Sequence, residues 1–146
     1  MWLAQTDMKK QGFTLIEMLV VIGIIATLAT VVFVALDPAK RFADARNSRR
    51  WGDVNSILTA VHECIIDNGG DEAICGIADT SLHILGTGAG NLDLSTELVN
   101  YLKTMPQDPK TGTGADTGYS LQQNSAGIVT VTADDAELSE TIEASR

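Results

Sequence analysis

Glu17 is the only charged residue in an apolar run that extends from Phe13 to Leu36. A carboxylate in such a place needs a reason, because a charge at a bilayer centre costs about 2.5–3.5 kcal/mol and usually marks function. Its position about one helical turn into the run softens that cost without accounting for the residue. The only chemistry open to it is pairing with a cation or with hydrogen-bond donors, since a buried unpaired carboxylate is costly. No catalytic set competes for attention elsewhere. Serines are scattered, and neither His62 nor His83 has a nucleophile nearby in sequence or completes a zinc spacing. Gly86-Thr87-Gly88-Ala89-Gly90 looks superficially like a dinucleotide turn, but it lacks a convincing strand before it and a helix after it. It reads as a flexible loop, and the chain reads as no enzyme.

The context of Glu17 is informative. Lys9 and Lys10 precede Gly12, and Gly12-Phe13-Thr14-Leu15-Ile16-Glu17 opens the apolar run. A secretory signal has an apolar core of 7–15 residues followed by small residues at its cut site; here a longer core follows the basic leader and no such site comes before Asp37-Pro38. The pattern resembles the prepilin signal of type IV pilins and type II secretion pseudopilins. That resemblance implies cleavage by a prepilin peptidase between Gly12 and Phe13, N-methylation of Phe13, and a role for Glu17 as the assembly carboxylate that meets a neighbouring subunit's N-terminus. It implies residues 1–12 as leader, 13–36 as membrane-spanning and filament-core helix, and 37–146 as an exported pilin-like domain that includes the second half of the long helix. The partners implied are other pilin subunits in a homo- or hetero-filament, membrane lipid before assembly, and indirectly the assembly platform and its ATPase. The place implied is the cytoplasmic (inner) membrane, crossed once with the N-terminus cytoplasmic, and then an extracellular or periplasmic filament. The alternative is a bitopic anchor presenting a small binding domain, since Met18–Leu36 is long enough to span a bilayer by itself.

An exported chain meets an oxidising compartment, where a cysteine pair such as Cys64 and Cys75 commonly closes a disulfide. Two reduced buried thiols are the other reading. Asp108, Asp116, Asp134 and Asp135 lie in loops around the expected strands, and calcium prefers oxygen ligands from such loops. Some pseudopilins hold calcium near their C-terminal loops, which makes Asp108 and Asp116 the calcium candidates. The spacing completes no calcium motif, and solvated turn aspartates are the preferred reading; no other cofactor is expected.

Lys plus Arg number 10 against 19 Asp plus Glu. An acidic balance disfavours nucleic acid as a bulk partner, because phosphate binding needs a basic surface. The basic residues crowd at Lys40, Arg41, Arg46, Arg49 and Arg50, just after the apolar run. That conflicts with the tendency of positive flanks to stay cytoplasmic, and the orientation follows the resemblance instead. The cluster is expected to face anionic lipid before assembly and acidic loops of neighbours afterwards.

The elements that must hold these residues follow from periodicity. Phe13–Leu36 is apolar all round, so lipid or other helices must surround it. Small residues four apart, Gly23 with Thr27 and Ala26 with Thr30, suit close helix approach. Many pilins carry a proline in this helix; here none occurs before Pro38, leaving Gly23 as the weak point. Asp37-Pro38 predicts a kink or brief break. A second helix is expected from about Ala39 to Asp67, with Val54, Ile57, Leu58, Val61 and Ile65 as its buried stripe and Arg46, Arg49, Arg50 and Asp53 off it. Asn68-Gly69-Gly70 stops it. Ser95–Leu102 is expected as a short helix capped by Ser95. Tyr119–Gln122 and Ile128–Thr132 are expected as strands joined by a hairpin, with a weaker third strand over Glu140–Ser145. The class is α+β and pilin-like: a long N-terminal helix, half membrane-spanning and half amphipathic, with a small C-terminal antiparallel sheet.

Overall fold

The computed structural model describes residues 12–146, so the leader before Gly12 lies outside the described residues. The chain forms two compact units, one ending at Pro38 and one covering Ala39–Arg146. In the first, helix α1 spans Leu15–Leu36, runs unbroken through Gly23, and has no buried residue. Its two interior hydroxyls donate to its own backbone, Thr27 Oγ1 to the Ile24 carbonyl at 2.8 Å and Thr30 Oγ1 to the Ala26 carbonyl at 2.9 Å. Both hydroxyls are thus satisfied within the helix itself, which suits a helix in hydrocarbon. The break falls at Asp37, whose φ of 39° is left-handed. Helix α2 then begins at Pro38, a first-turn position where the missing N–H costs nothing, and ends at Asp67.

In the second unit α2 packs on one face of a four-stranded antiparallel sheet of order β1-β2-β3-β4: His83–Ile84, Tyr119–Gln123, Val129–Ala133 and Glu143–Ser145. The expected stripe is the core. Val54, Ile57, Leu58 and Val61 are buried against Tyr119, Leu121, Val129 and Val131, with Ile65 half-buried at its end. Alternate residues of β2 and β3 therefore point at the helix, as the two-residue pleat requires.

Several elements differ from expectation. Ser95–Leu102 makes successive turns rather than a helix: Leu98 N bonds the Leu94 carbonyl, Tyr101 N the Leu98 carbonyl, and Leu102 N the Leu98 carbonyl. Thr96, Val99 and Asn100 are poor helix formers, and the turns suffice to bury Leu94 and Leu98. Ser95 does not cap; its amide is held by Asp93 Oδ1 at 3.0 Å. The third strand starts at Glu143, because residues 137–140 form a turn closed by Glu140 N on the Glu137 carbonyl, with Leu138 and Ser139 both left-handed. The Gly86–Gly90 loop is packed rather than free. Thr87 N and Gly88 N bond the Gly114 and Ala115 carbonyls, and a Cβ on Gly88 would collide with that backbone.

Cys64 and Cys75 are disulfide-bonded, with Cα atoms 6.0 Å apart and both residues buried. The bridge ties the end of α2 to the 3-10 turn Ala73–Cys75. Alkylation without reductant should label neither thiol, and reduction should cost on the order of 3 kcal/mol for a loop of this size. Full labelling of material taken from the cell envelope would contradict the bridge.

Candidate functional site

At the start of α1, Thr14 is an N-cap in extended conformation and Glu17 is the third helical residue. The pair forms a capping box. Glu17 N donates to Thr14 Oγ1 at 3.3 Å, while Glu17 Oε2 accepts from Thr14 N at 2.8 Å and from Thr14 Oγ1 at 2.7 Å. The carboxylate thus satisfies donors that a helix N-terminus otherwise leaves open and sits where the helix dipole favours negative charge. Only one oxygen is used: Oε1 accepts no hydrogen bond among the described residues. Glu17 can hold its cap and still offer an oxygen to an incoming cation. Gly12 and Phe13 precede the helix in irregular, exposed backbone. The Thr-x-x-Glu spacing before an apolar run is a recognised helix-start signature, so the cap has a local signal in the sequence.

The basic cluster is not the uniform outer face expected of it. Arg50 is 0% exposed, and its guanidinium makes a two-pronged pair with Asp108: Nε to Oδ2 at 2.5 Å and Nη2 to Oδ1 at 3.0 Å. Its Nη1 reaches Asn47 Oδ1 at 2.8 Å and Glu137 Oε2 at 3.2 Å. Glu137 also takes Arg46 at 2.6 and 2.9 Å and Lys110 at 2.9 Å. Asn47 and Trp51 hold Glu140 at 2.8 and 2.9 Å. Arg46 and Arg50 are therefore internal braces between α2 and two loops. The α2 stripe, extended backward from Val54 by four, three and four residues, passes through Arg50, Asn47 and Ala43, all buried. The periodicity carried that information, and the residue types concealed it.

Asp108 is accordingly no solvated turn residue. It is 4% exposed, and besides Arg50 it accepts from the amides of Lys110 and Thr111 at 2.8 and 3.0 Å. Burial pushes its pKa up, but Arg50 and the two amides outweigh that and hold it at about 2. Arg46 chiefly, then Lys110, lowers that of Glu137. A cation at Asp108 would have to displace Arg50. Asp116 is exposed and shares a cleft with Asp134 and Asp135. Among the described residues no three carboxylate, histidine or cysteine side chains converge as a metal's ligand set would. On the core side, Tyr119 donates to Asp53 Oδ2 at 2.8 Å, and burial first, Asp53 second, raise its hydroxyl above the ordinary range.

Residues 7–33 match the family model described as the prokaryotic N-terminal methylation motif. The match takes in the Gly12-Phe13 junction, Thr14, Glu17 and most of α1, and it is a type IV pilin-like prepilin signal. With the α+β arrangement of α2 on a four-stranded antiparallel sheet, the fold is of pilin type. No curated protein and no solved structure matches the chain significantly.

Proposed function

We propose that a chain opening on this prepilin signal is a structural subunit, a pilin or pseudopilin, of a type IV pilus or type II secretion-like filament. A prepilin peptidase cuts after Gly12, Phe13 is methylated, and the subunit waits in the cytoplasmic membrane with its C-terminal unit exported. It then joins other subunits through α1. The observation that carries this reading is the motif at residues 7–33 laid over a 22-residue apolar helix with no residue buried among the described residues. Lipid can cover such a helix in storage and neighbouring copies can cover it afterwards. Contacts that do not close into a ring build filaments. The Cys64–Cys75 disulfide supports export, since such bonds persist in oxidising compartments.

The test is N-terminal sequencing and mass measurement of the protein from cells with and without the prepilin peptidase. The expected result is an N-methylated Phe13 start only when the peptidase is present. The same N-terminus in both would favour a bitopic anchor and sink the filament reading.

A further inference from the structure

With Arg46 and Arg50 committed internally, the basic cluster leaves a narrower outward patch on α2. Arg41, Phe42, Ala45 and Arg49 are all exposed and share one side of the helix by their spacing, Phe42 at 65%. Among the described residues Arg49 pairs only with Asp53, at 3.7 Å, with its side chain largely in solvent. An exposed aromatic ring on the same side of the helix as two arginines is poor material for a solvated face and good material for a contact.

The same unit carries a surface of opposite character. Leu82 and Ile84, 61% and 41% exposed, line a cleft of about 330 Å³ together with Ser120, Asp116, Asp134 and Asp135. Ile84 lies on β1, paired with Ser120 of β2. Ser120 Oγ bonds Asp134 at 2.7 Å, and Thr111 Oγ1 bonds Asp135 at 2.5 Å. Those hydroxyls orient two of the carboxylates and neutralise none. The cations of the neighbouring brace are taken, since Arg50 serves Asp108 and Glu137 while Arg46 and Lys110 serve Glu137.

We infer that this acidic, apolar-floored cleft receives the Arg41-Phe42-Arg49 patch of a second copy of the chain. Phe42 would lie on Leu82 and Ile84, and Arg41 and Arg49 would meet Asp116, Asp134 and Asp135. Charge sign is complementary and each surface has an apolar part, and because the two are different parts of one chain a head-to-tail contact can run on from copy to copy, as a filament requires. Asp134 is exposed, yet partial desolvation first and then the charges of Asp116 and Asp135 raise its pKa against the Ser120 hydrogen bond. Arriving guanidinium groups would relieve that repulsion. The inference rests on the filament reading proposed above and adds the contact between exported units.

Charge exchange in the full-length protein tests it. Arg49→Glu and Asp134→Lys should each lower filament yield on the order of tenfold, because each sets like charges against one another. The double variant should recover most of the wild-type yield. Phe42→Ala should lower yield without touching charge, and thermal melting should show every variant folded as well as wild type. Wild-type filaments should also weaken as salt rises. Normal yield from Arg49→Glu, or a double variant no better than its singles, overturns the inference alone. Loss of binding to anionic vesicles on Arg49→Glu with no rescue by Asp134→Lys would assign the patch to lipid and overturn it too. A wild-type chain that keeps the same N-terminus with and without the peptidase and builds no filament overturns the proposed function and the contact together.

Discussion

Glu17→Ala and Glu17→Gln are both expected to leave membrane insertion and cleavage after Gly12 intact while lowering filament yield more than tenfold, the scale of losing one partner of a desolvated charge pair. Insertion should not suffer, because either change makes the segment less charged. The two variants separate the capping role seen in the structure from the pairing role proposed for the same side chain. Glu17 closes the capping box with Thr14 through Oε2, and its Oε1 accepts no hydrogen bond among the described residues. Glutamine also serves at the third position of a capping box, so Glu17→Gln keeps the helix start and removes only the charge. Alanine removes both, with about 1 kcal/mol for the cap added to the lost pair. Equal defects would place the function in pairing with the amine that cleavage exposes on a neighbour's Phe13, fixing axial register. Normal filaments from Glu17→Gln with poor ones from Glu17→Ala would mean that the cap is what matters. Normal filaments from both would remove Glu17 from assembly altogether.

Arg50→Met is expected to lower the stability of the exported unit by about 3–5 kcal/mol at neutral pH, because it strands the buried Asp108 without its cation. Thermal melting in detergent should show a fall in Tm of roughly 10–25 °C. Arg50→Lys should be intermediate, since an ammonium cannot reproduce the two-pronged contact. Arg50→Met with Asp108→Leu should recover much of the loss, as a buried pair replaced whole by apolar groups often does. The acid response follows from the same residues. Asp108 has a folded pKa of about 2 against an ordinary 3.8, so its contribution is complete above the ordinary value and is lost as pH falls from about 4 towards 2. The lowered pKa of Glu137 adds a contribution of the same sign. Arg50→Met should flatten that acid limb. A change in Tm of only a degree or two at neutral pH would show that the brace is dispensable.

Features that depend on neighbours along the chain were legible without coordinates. The apolar helix, the Gly12-Phe13 junction, the break at Asp37-Pro38, the Val54–Val61 stripe and the β2–β3 hairpin are all written in local spacing, because helical and strand periods are properties of consecutive residues. The capping box also has a local signal, needing only Thr14 and Glu17. The role of Arg50 could not be settled that way. Its partners Asp108 and Glu137 lie 58 and 87 residues further on, and an arginine on a helix is exposed unless the fold brings carboxylates to it. The two-residue β1 has no period of its own and exists because β2 offers it an edge. Ser95–Leu102 looks helical in isolation, yet once Leu94 and Leu98 reach the core there is no further gain to offset its weak helix formers. Local spacing determined which segments are apolar and where they start and stop. Tertiary structure decided which charges are buried, because burying a charge is tolerable only where a distant partner arrives to meet it.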